Sequence, residues 1–220
     1  MVFGVNSMDL LDAICGRRAI RTYKEERISE DIVRKVIDAG TWAPSPMNGQ
    51  AWHFTIVTAP GLLDAISDHA KTWLLQESSG FVLDGKMRSL LQESDFHLFH
   101  HAPCLIVISA PIHDKWTAES CALAAENLML AATALGLGSC WIGLAQDWLN
   151  TVGGHNILGL PPSYRVIAPI AVGYPREKPL SIARKSPTIV WMREGTERVE
   201  ERADAAATPH RGLYGVLIHP

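Results

Sequence analysis

Three arginines lie within five residues near the N-terminus, in the stretch GRRAIR at residues 16–21. The whole chain carries 20 Lys and Arg against 23 Asp and Glu, so this cluster is a local feature. If the segment is extended, Arg17 and Arg21 point to the same side. Two guanidinium groups on one side suit a phosphate, which accepts paired hydrogen bonds from each of them. Salt bridges to neighbouring carboxylates would neutralise the same arginines, and the candidates are Asp12, Glu25 and Glu26.

A second stretch suited to ligand binding is APSPMNGQ, residues 43–50. Its two prolines restrict the backbone, and Gly49 permits close approach of another molecule. The side-chain amides of Asn48 and Gln50 donate and accept hydrogen bonds, which matches a heterocycle that carries both kinds of edge atom. A plain loop that connects a helix to a strand would explain the same residues.

Two weaker signals follow later in the chain. The stretch GLGSCWIG, residues 136–143, comes directly after a long apolar helix and exposes backbone N–H groups that can face a developing negative charge. Ordinary helix termination explains the same glycines. Arg184 and Lys185 lie in a connection between prolines, where they would either add charge to a phosphate site or face solvent.

Other reactive side chains favour structural roles. The histidines of HLFHH (His97, His100 and His101) have a spacing that places two ligands on one helix face, but no HExxH motif and no carboxylate partner accompanies them. We therefore predict no metal site and a helix bordering a pocket. Cys140 has no neighbouring basic residue to lower its pKa, so we interpret it as a buried or flavin-adjacent thiol and not as a nucleophile. The aromatic residues that would line a substrate pocket, with core packing as the alternative, are Trp73, Phe96 and Phe99.

The elements that must position these residues alternate between helices and a few strands. Capping residues and apolar periodicity predict helices at 7–14 with Ser7 as the cap, 29–40, from Pro60 onward, 86–101 and 117–135. Strands are predicted at 52–58, 104–109, 165–175 and 188–192. No linker-like run divides the chain, and no GxGxxG follows a strand. This pattern favours a single α+β domain and argues against a dinucleotide-binding domain.

Composition excludes several functional classes. Apolar residues make up 47% and charged residues 20% of the chain, as in ordinary globular proteins. Mixed charges provide no basic face for nucleic acid. The 4 cysteines form no CxxC pair, and most lie in apolar runs, so free thiols in a reducing compartment are expected. No signal sequence is evident, and we expect a cytoplasmic protein.

One apolar segment has the length of a membrane span. Residues 127–146 contain no charged side chain. They include three glycines, at 136, 138 and 143, and have no basic flank. We therefore predict a buried core helix that ends at the glycines, and no association with a membrane.

Taken together and in this order, the four stretches resemble the nitroreductase family of FMN-dependent oxidoreductases. That family shows an RR-S-x-R motif, an A-P-S-x-x-N-x-Q-P-W loop, a G-L-G turn after a central helix, and a basic pair after a final V-G-Y/H strand. The resemblance covers about residues 8–192 of a single FMN-binding domain over 1–220, with 193–220 as a C-terminal extension. It implies a central, mostly antiparallel sheet covered by helices, in an intertwined homodimer.

The resemblance also implies which residues hold FMN. The arginine motif (Arg17, Arg18, Ala19 and Arg21) would contact the phosphate and one flavin edge, and Arg184 or Lys185 would complete the phosphate site. The loop residues Pro44, Ser45, Pro46, Asn48 and Gln50 would reach the flavin from the partner subunit. The backbone of Trp141, Ile142 and Gly143 would lie near the reactive edge. Ala19 replaces the family's usual serine and removes a hydroxyl, while Ala51 replaces a proline and loosens the loop.

By the same resemblance, NAD(P)H would deliver hydride to flavin N5 and leave, and a nitroaromatic, quinone or related acceptor would follow in ping-pong order. Arg21 would stabilise charge at the N1–C2=O edge, and no catalytic side chain is required. Three alternatives stay open. The first is an enzyme of the same fold that catalyses dehydrogenation, dehalogenation or flavin fragmentation. The second is a non-catalytic FMN-binding protein, and the third is a histidine-based metal hydrolase.

Overall fold

The computed structural model describes residues 8–76, 84–111, 116–180, 182–192 and 198–202. Contacts divide the chain into two compact units, 1–179 and 180–220, which are described separately. The organisation of 1–220 as one domain stays a prediction.

The described helices all belong to the first unit. They are α1 (Leu10–Gly16), α2 (Glu30–Thr41), α3 (Pro60–Gln76), α4 (Gly85–Gln92), α5 (Thr117–Ala134), α6 (Gly143–Leu149) and α7 (Val152–Leu158). A short 3-10 turn, Pro46–Asn48, follows α2. The strands of this unit are β1 (His53–Val57), β2 (Cys104–Pro111), β3 (Gly138–Trp141) and β4 (Tyr164–Gly173). In the second unit β5 (Thr188–Met192) pairs with β6 (Arg198–Arg202) in an antiparallel sheet.

The four strands of the first unit form an antiparallel sheet in the order β1-β2-β4-β3. Alternate residues of β2 enter two different apolar clusters. Leu105 and Val107 belong to the cluster that also contains residues of α3, α6 and α7, whereas Ile106 and Ile108 join residues of α2 and α5. Both faces of the sheet are therefore covered by helices, which explains why this strand is an unbroken apolar run.

Helix α5 is the central helix of one layer, as the uncharged segment predicted. Ala124, Leu128 and Ala132 are fully buried. A Cβ atom at Gly40 of α2 would lie 3.2 Å from the carbonyl oxygen of Ala124, so the two helices approach closely. Among the described helices, none is long and apolar enough to cross a membrane.

The fold class is confirmed as α+β, and the predictions for α2, α3, α5, β1, β2, β4 and β5 are confirmed within a few residues. For the first helix, the side chain of Asp9 accepts a hydrogen bond from Leu11 N and forms the N-cap. The predicted cap, Ser7, lies outside the described residues.

Three other predictions are corrected. The helix predicted over 86–101 is wrong beyond Gln92, because Glu93 has an extended backbone that ends the helix. His100 and His101 then adopt a left-handed backbone with φ of 54°. The glycine-rich stretch is not only a turn, since Gly138–Trp141 pairs with β4 as a strand. The two short helices α6 and α7, and strand β6 within the predicted tail, were not foreseen.

Candidate functional site

The arginine segment lies between β3 and the end of β4. Ala19 forms a parallel bridge with Ser139, and Ile20 N donates to Ser139 O at 3.0 Å. Beyond the arginines, Tyr23 forms an antiparallel bridge with Pro175. The structure therefore brings together the arginine motif and the GLGSCWIG stretch, which are far apart in sequence.

Two buried side chains and two glycines fix this segment. Ile20 and Tyr23 enter the apolar core, and the Tyr23 hydroxyl donates to Ile20 O at 2.7 Å. A Cβ atom at Gly138 would lie 2.6 Å from Ile20 Cγ1, and one at Gly173 would lie 2.7 Å from Tyr23 Cδ1. Only glycine permits this close packing at both positions, so the arginines project from an anchored backbone.

Arg17 and Arg18 hold buried donors beside this bridge. Arg18 Nη1 donates to Cys15 O at 2.7 Å and to Arg17 O at 2.6 Å. Within the described residues, Arg17 Nε and Arg18 Nε are buried and have no hydrogen-bond acceptor. Buried N–H groups of this kind call for an acceptor. The donor set therefore fits a phosphate monoester such as that of FMN.

The carboxylate partner of this cluster is Glu126 on α5. Its Oε1 lies 3.3 Å from Arg17 Nε, an ion pair outside hydrogen-bond geometry. Among the described residues, no salt bridge joins the cluster to the carboxylates nearest in sequence. Sequence reasoning missed this partner, because α5 carries two carboxylates, Glu119 and Glu126, and nothing in the sequence distinguishes them.

Arg21 is exposed, and its charge acts on buried neighbours. Burial raises the pKa of the Cys140 thiol, and the Arg21 charge opposes that effect. Burial also raises the pKa of Tyr23. The thiol is therefore protonated at neutral pH, in agreement with the interpretation of Cys140 as a buried thiol and not a nucleophile.

The loop after α2 has a strained backbone. Met47, Asn48 and Gln50 have positive φ values of 51°, 55° and 46°. Ser45 Oγ accepts from Gln50 N at 3.0 Å, so the Ser45 side chain shapes the loop. Pro44, Pro46 and Asn48 are exposed. Strain of this type persists where surrounding structure maintains it and is common at ligand-binding segments.

Near the end of β3, one backbone N–H group already has a hydrogen-bond acceptor, and the next residue is open to an approaching molecule. Ile142 N donates to Pro169 O at 2.8 Å, so that N–H is already engaged. A Cβ atom at Gly143 would meet nothing within 4 Å, and the chain there is open to an approaching molecule. Trp141 is half-buried. Arg184 and Lys185 belong to the second unit and are exposed, and their role at a phosphate stays a prediction.

The three aromatic residues predicted for a substrate pocket all belong to or pack against one apolar cluster. Phe99 is fully buried, and Trp73 packs against the same apolar cluster. Phe96 lines a cavity of about 280 Å³ together with Arg21 and the three histidines. Among the described residues, no group of three or more His, Cys, Asp or Glu is placed to hold a metal ion. A larger cavity of about 590 Å³, beside Val33, Ile56 and Cys104, contains none of the predicted site residues.

The chain was compared with known proteins. Residues 14–174 match the family model described as the nitroreductase family. A nitroreductase from Bacteroides fragilis, crystallised with bound FMN, is 29% identical, with 89% of this chain and 100% of that chain covered and a TM-score of 0.71.

Two further relatives differ in their names. A protein of Archaeoglobus fulgidus, provisionally named an NADH dehydrogenase/NAD(P)H nitroreductase, is 29% identical over 77% of this chain and 87% of its own length. A BluB-like flavoprotein from Clostridium difficile is 25% identical, with 82% of this chain and 95% of that chain covered and a TM-score of 0.65.

Proposed function

The chain belongs to the nitroreductase family, and we propose that it is an FMN-dependent oxidoreductase that transfers hydride from NAD(P)H to a small acceptor. One observation carries this proposal. Two buried arginine N–H groups, on Arg17 and Arg18, have no hydrogen-bond acceptor within the described residues, although Arg17 forms an ion pair with Glu126. Both groups lie beside the junction of two distant motifs. The FMN bound to the Bacteroides fragilis relative supports the same interpretation.

Each predicted site residue has a distinct task in this proposal. Arg17 and Arg18 bind the phosphate. Arg21 places its charge at the pyrimidine edge of the flavin, where negative charge accumulates on reduction. Trp141, Ile142 and Gly143 border the reactive edge, and Gly143 leaves room for a substrate.

FMN, when bound, supplies a hydride acceptor and donor at N5. The chain binds and orients the reactants and excludes water around them. No side chain acts as a nucleophile, in keeping with the buried, protonated Cys140. Donor and acceptor use one pocket in turn, which gives ping-pong kinetics with a nitroaromatic or quinone as acceptor.

We further propose a homodimer with FMN at the subunit interface. Large apolar side chains are exposed on α1, at the end of α2 and in the loop that follows, namely Leu10, Leu11, Ile14, Trp42 and Met47. Exposed apolar groups in this number are typical of an interaction surface. A second copy of the chain would cover them and bring the exposed Pro44, Pro46 and Asn48 to the flavin. The free, buried thiols of Cys104, Cys121 and Cys140 suit a reducing cytoplasm.

A different flavin reaction is the second candidate function, because one relative is a BluB-like flavoprotein. In that case the same fold and cofactor would support a different flavin reaction, such as flavin fragmentation, dehydrogenation or dehalogenation. Incubation of the reduced protein with oxygen, followed by chromatography of the flavin, distinguishes the oxidoreductase from an enzyme that fragments flavin. Intact FMN together with rapid acceptor turnover supports the oxidoreductase, and conversion of FMN itself supports fragmentation.

The absorption spectrum of the purified protein is the decisive test. We expect a yellow protein with about one FMN per chain that NADH or NADPH bleaches rapidly and a quinone reoxidises. A colourless protein that cannot be reconstituted with FMN would contradict the proposal. A flavin that neither nicotinamide reduces would indicate a binding protein.

A further inference from the structure

A cavity of about 280 Å³ lies beside the arginine segment. Its walls come from three places in the chain, which are Arg21–Tyr23, the connection between α4 and β2, and the residue after Pro175. Its charged and titratable lining residues are Arg21, Tyr23, Asp95, His97, His100, His101 and Arg176. None of the functions proposed above uses Arg176 or the histidines.

Arg21 and Arg176 give the cavity a positive charge. Arg176 N donates to Thr22 O at 3.0 Å, which fixes the backbone of Arg176 beside that of Arg21. Among the described residues, no salt bridge engages either guanidinium group. Asp95 is the one carboxylate in the lining, and Ser94 Oγ donates to its Oδ1 at 2.9 Å. Two cations therefore face one anion.

His97 lines the cavity as a neutral imidazole whose two nitrogens contact other residues of the chain. Its Nδ1 accepts from Phe99 N at 3.1 Å, so the proton is on Nε2, which lies 3.3 Å from Asp64 Oδ1. Burial and the neighbouring His101 lower the pKa of His97, although Asp64 and Asp68 act in the opposite direction. Both nitrogens of His97 are thus engaged, and the ring of His101 lies against it at a centroid distance of 4.7 Å.

His100 and His101 are held in an unfavourable conformation at the cavity wall. Both have φ of 54°, a left-handed backbone that is uncommon outside glycine, although histidine adopts it more often than most residues do. Strained residues cluster at ligand-binding sites, where surrounding structure maintains them. The strain here places two imidazoles beside two arginines.

We propose that this cavity binds a small oxyanion, a carboxylate or a phosphate group, between Arg21 and Arg176, with His100 and His101 as further donors. Guanidinium groups present paired N–H donors that match both kinds of oxyanion. Phe96 adds an apolar wall, since its ring meets that of His100 edge-on at 6.3 Å. The cavity can therefore also hold an aromatic ring that carries the oxyanion.

Binding is coupled to the protonation of His100. Burial, Arg21 and the two neighbouring histidines lower the pKa of His100 to about 4. A bound anion offsets the charge of Arg21 and raises that pKa. Linkage then requires the anion to bind more tightly as the pH falls towards the pKa that His100 has in the complex. Asp95, the carboxylate of the lining, repels the anion.

The test is an NMR titration of the purified protein, with its flavin content left as isolated. Inorganic phosphate and benzoate are added separately, and the imidazole C–H resonances of His100 and His101 are followed at pH 7 and pH 5.5. We expect saturable shifts with at least one of the two anions and a raised His100 pKa. Benzoate, which stays ionised over this range, should bind more tightly at pH 5.5. The probe that binds more tightly shows whether the cavity prefers a carboxylate or a phosphate group.

Arg176→Ala is the test variant, and Arg165→Ala, which removes an exposed arginine of β4 outside the cavity, is the matched control. Loss of a charged donor should weaken anion binding about 10- to 100-fold in Arg176→Ala alone. Equal binding by both variants, or no saturable shift with either anion, would overturn the proposal. So would release of FMN by the anion, which would assign the cavity to the flavin site. Arg21 also serves the proposed flavin edge, so the inference rests on the proposed function at this one residue. No readout depends on turnover, so a failure of the anion site and a failure of the oxidoreductase proposal remain distinguishable.

Discussion

The side chain of Ile20 packs directly on the Cα atom of Gly138, where an added Cβ atom would lie 2.6 Å from Cγ1 and 2.8 Å from Cβ of the isoleucine. Carbon atoms that are not bonded pack best at about 3.5–4.0 Å. The contact adjoins the hydrogen bond from Ile20 N to Ser139 O. It therefore sets how closely the arginine segment approaches β3.

Gly138→Ala should destabilise the protein by about 1–3 kcal/mol, because the branched Ile20 side chain cannot move away without repacking the core. Urea unfolding measures this loss. The matched control is Gly61→Ala in α3, where an added Cβ meets nothing within 4 Å. The control should be neutral or slightly stabilising.

A double-mutant cycle tests whether the clash itself is the cause. Ile20→Ala removes the Cγ atoms that a Cβ at residue 138 would meet, so part of the effect of Gly138→Ala should disappear in that background. Strict additivity of the two changes would contradict the packing explanation.

Tyr23→Phe should destabilise the protein by about 1–2 kcal/mol, because the hydroxyl donates to Ile20 O in a buried position. Unfolding by urea, followed by tryptophan fluorescence, gives the value. Tyr164→Phe removes a hydroxyl from a half-buried ring that packs on His53 and serves as the comparison. A loss of stability in Tyr164→Phe as large as that in Tyr23→Phe would argue against a specific role for the Tyr23 hydroxyl.

Local patterns predicted the elements that carry strong local signals. Ser29 caps α2, and the unbroken apolar run of β2 follows from burial on both faces. Strand β3 has only four residues, and its pairing with β4 depends on a partner that is distant in sequence. No local signal encodes such a register, and the same holds for the bridge between Ala19 and Ser139.

The candidate site shows the same division between local features, which the sequence predicts, and long-range contacts, which it does not. The arginine cluster and the proline-rich loop stand out by residue type, and both have unusual local geometry in the folded chain. The partner of Arg17 was not predictable, because Glu126 approaches it only after α5 packs near α1. The cavity beside Arg21 also depends on the left-handed backbone at His100 and His101, in a segment whose composition resembles a helix.

Stability should fall as the pH decreases from about 6.5 to 4, in part because of His100. Its pKa is about 4 in the folded protein, below the ordinary value of 6.5, so the unfolded chain binds the proton more readily in this range. His100→Asn tolerates the left-handed backbone and should reduce the decrease in melting temperature across this window. His53→Asn, at an exposed position of β1, is the control. An unchanged pH profile in His100→Asn would contradict the assignment.

Arg17→Ala should weaken FMN binding about 10- to 100-fold, the effect of losing a charge-assisted contact of about 1.5–3 kcal/mol. Glu126→Gln separates this role from support of the fold, because it removes the ion pair and leaves the arginine in place. A carboxylate beside a phosphate is repulsive, so Glu126→Gln should bind FMN as tightly as the unmodified chain or more tightly. Equal loss of FMN in both variants would mean that Arg17 acts through the ion pair.

A mixture of Arg17→Ala and Asn48→Ala subunits tests whether the site is shared between chains. If Asn48 reaches the flavin of the partner subunit, the heterodimer contains one site with both original residues and one site that lacks both. FMN titration of the isolated heterodimer should then show two phases, with half of the sites at the affinity of the unmodified protein. If each loop served its own subunit, every site would carry one substitution and no tight phase would remain. A protein that sediments as a monomer while it retains full FMN would refute the shared site directly.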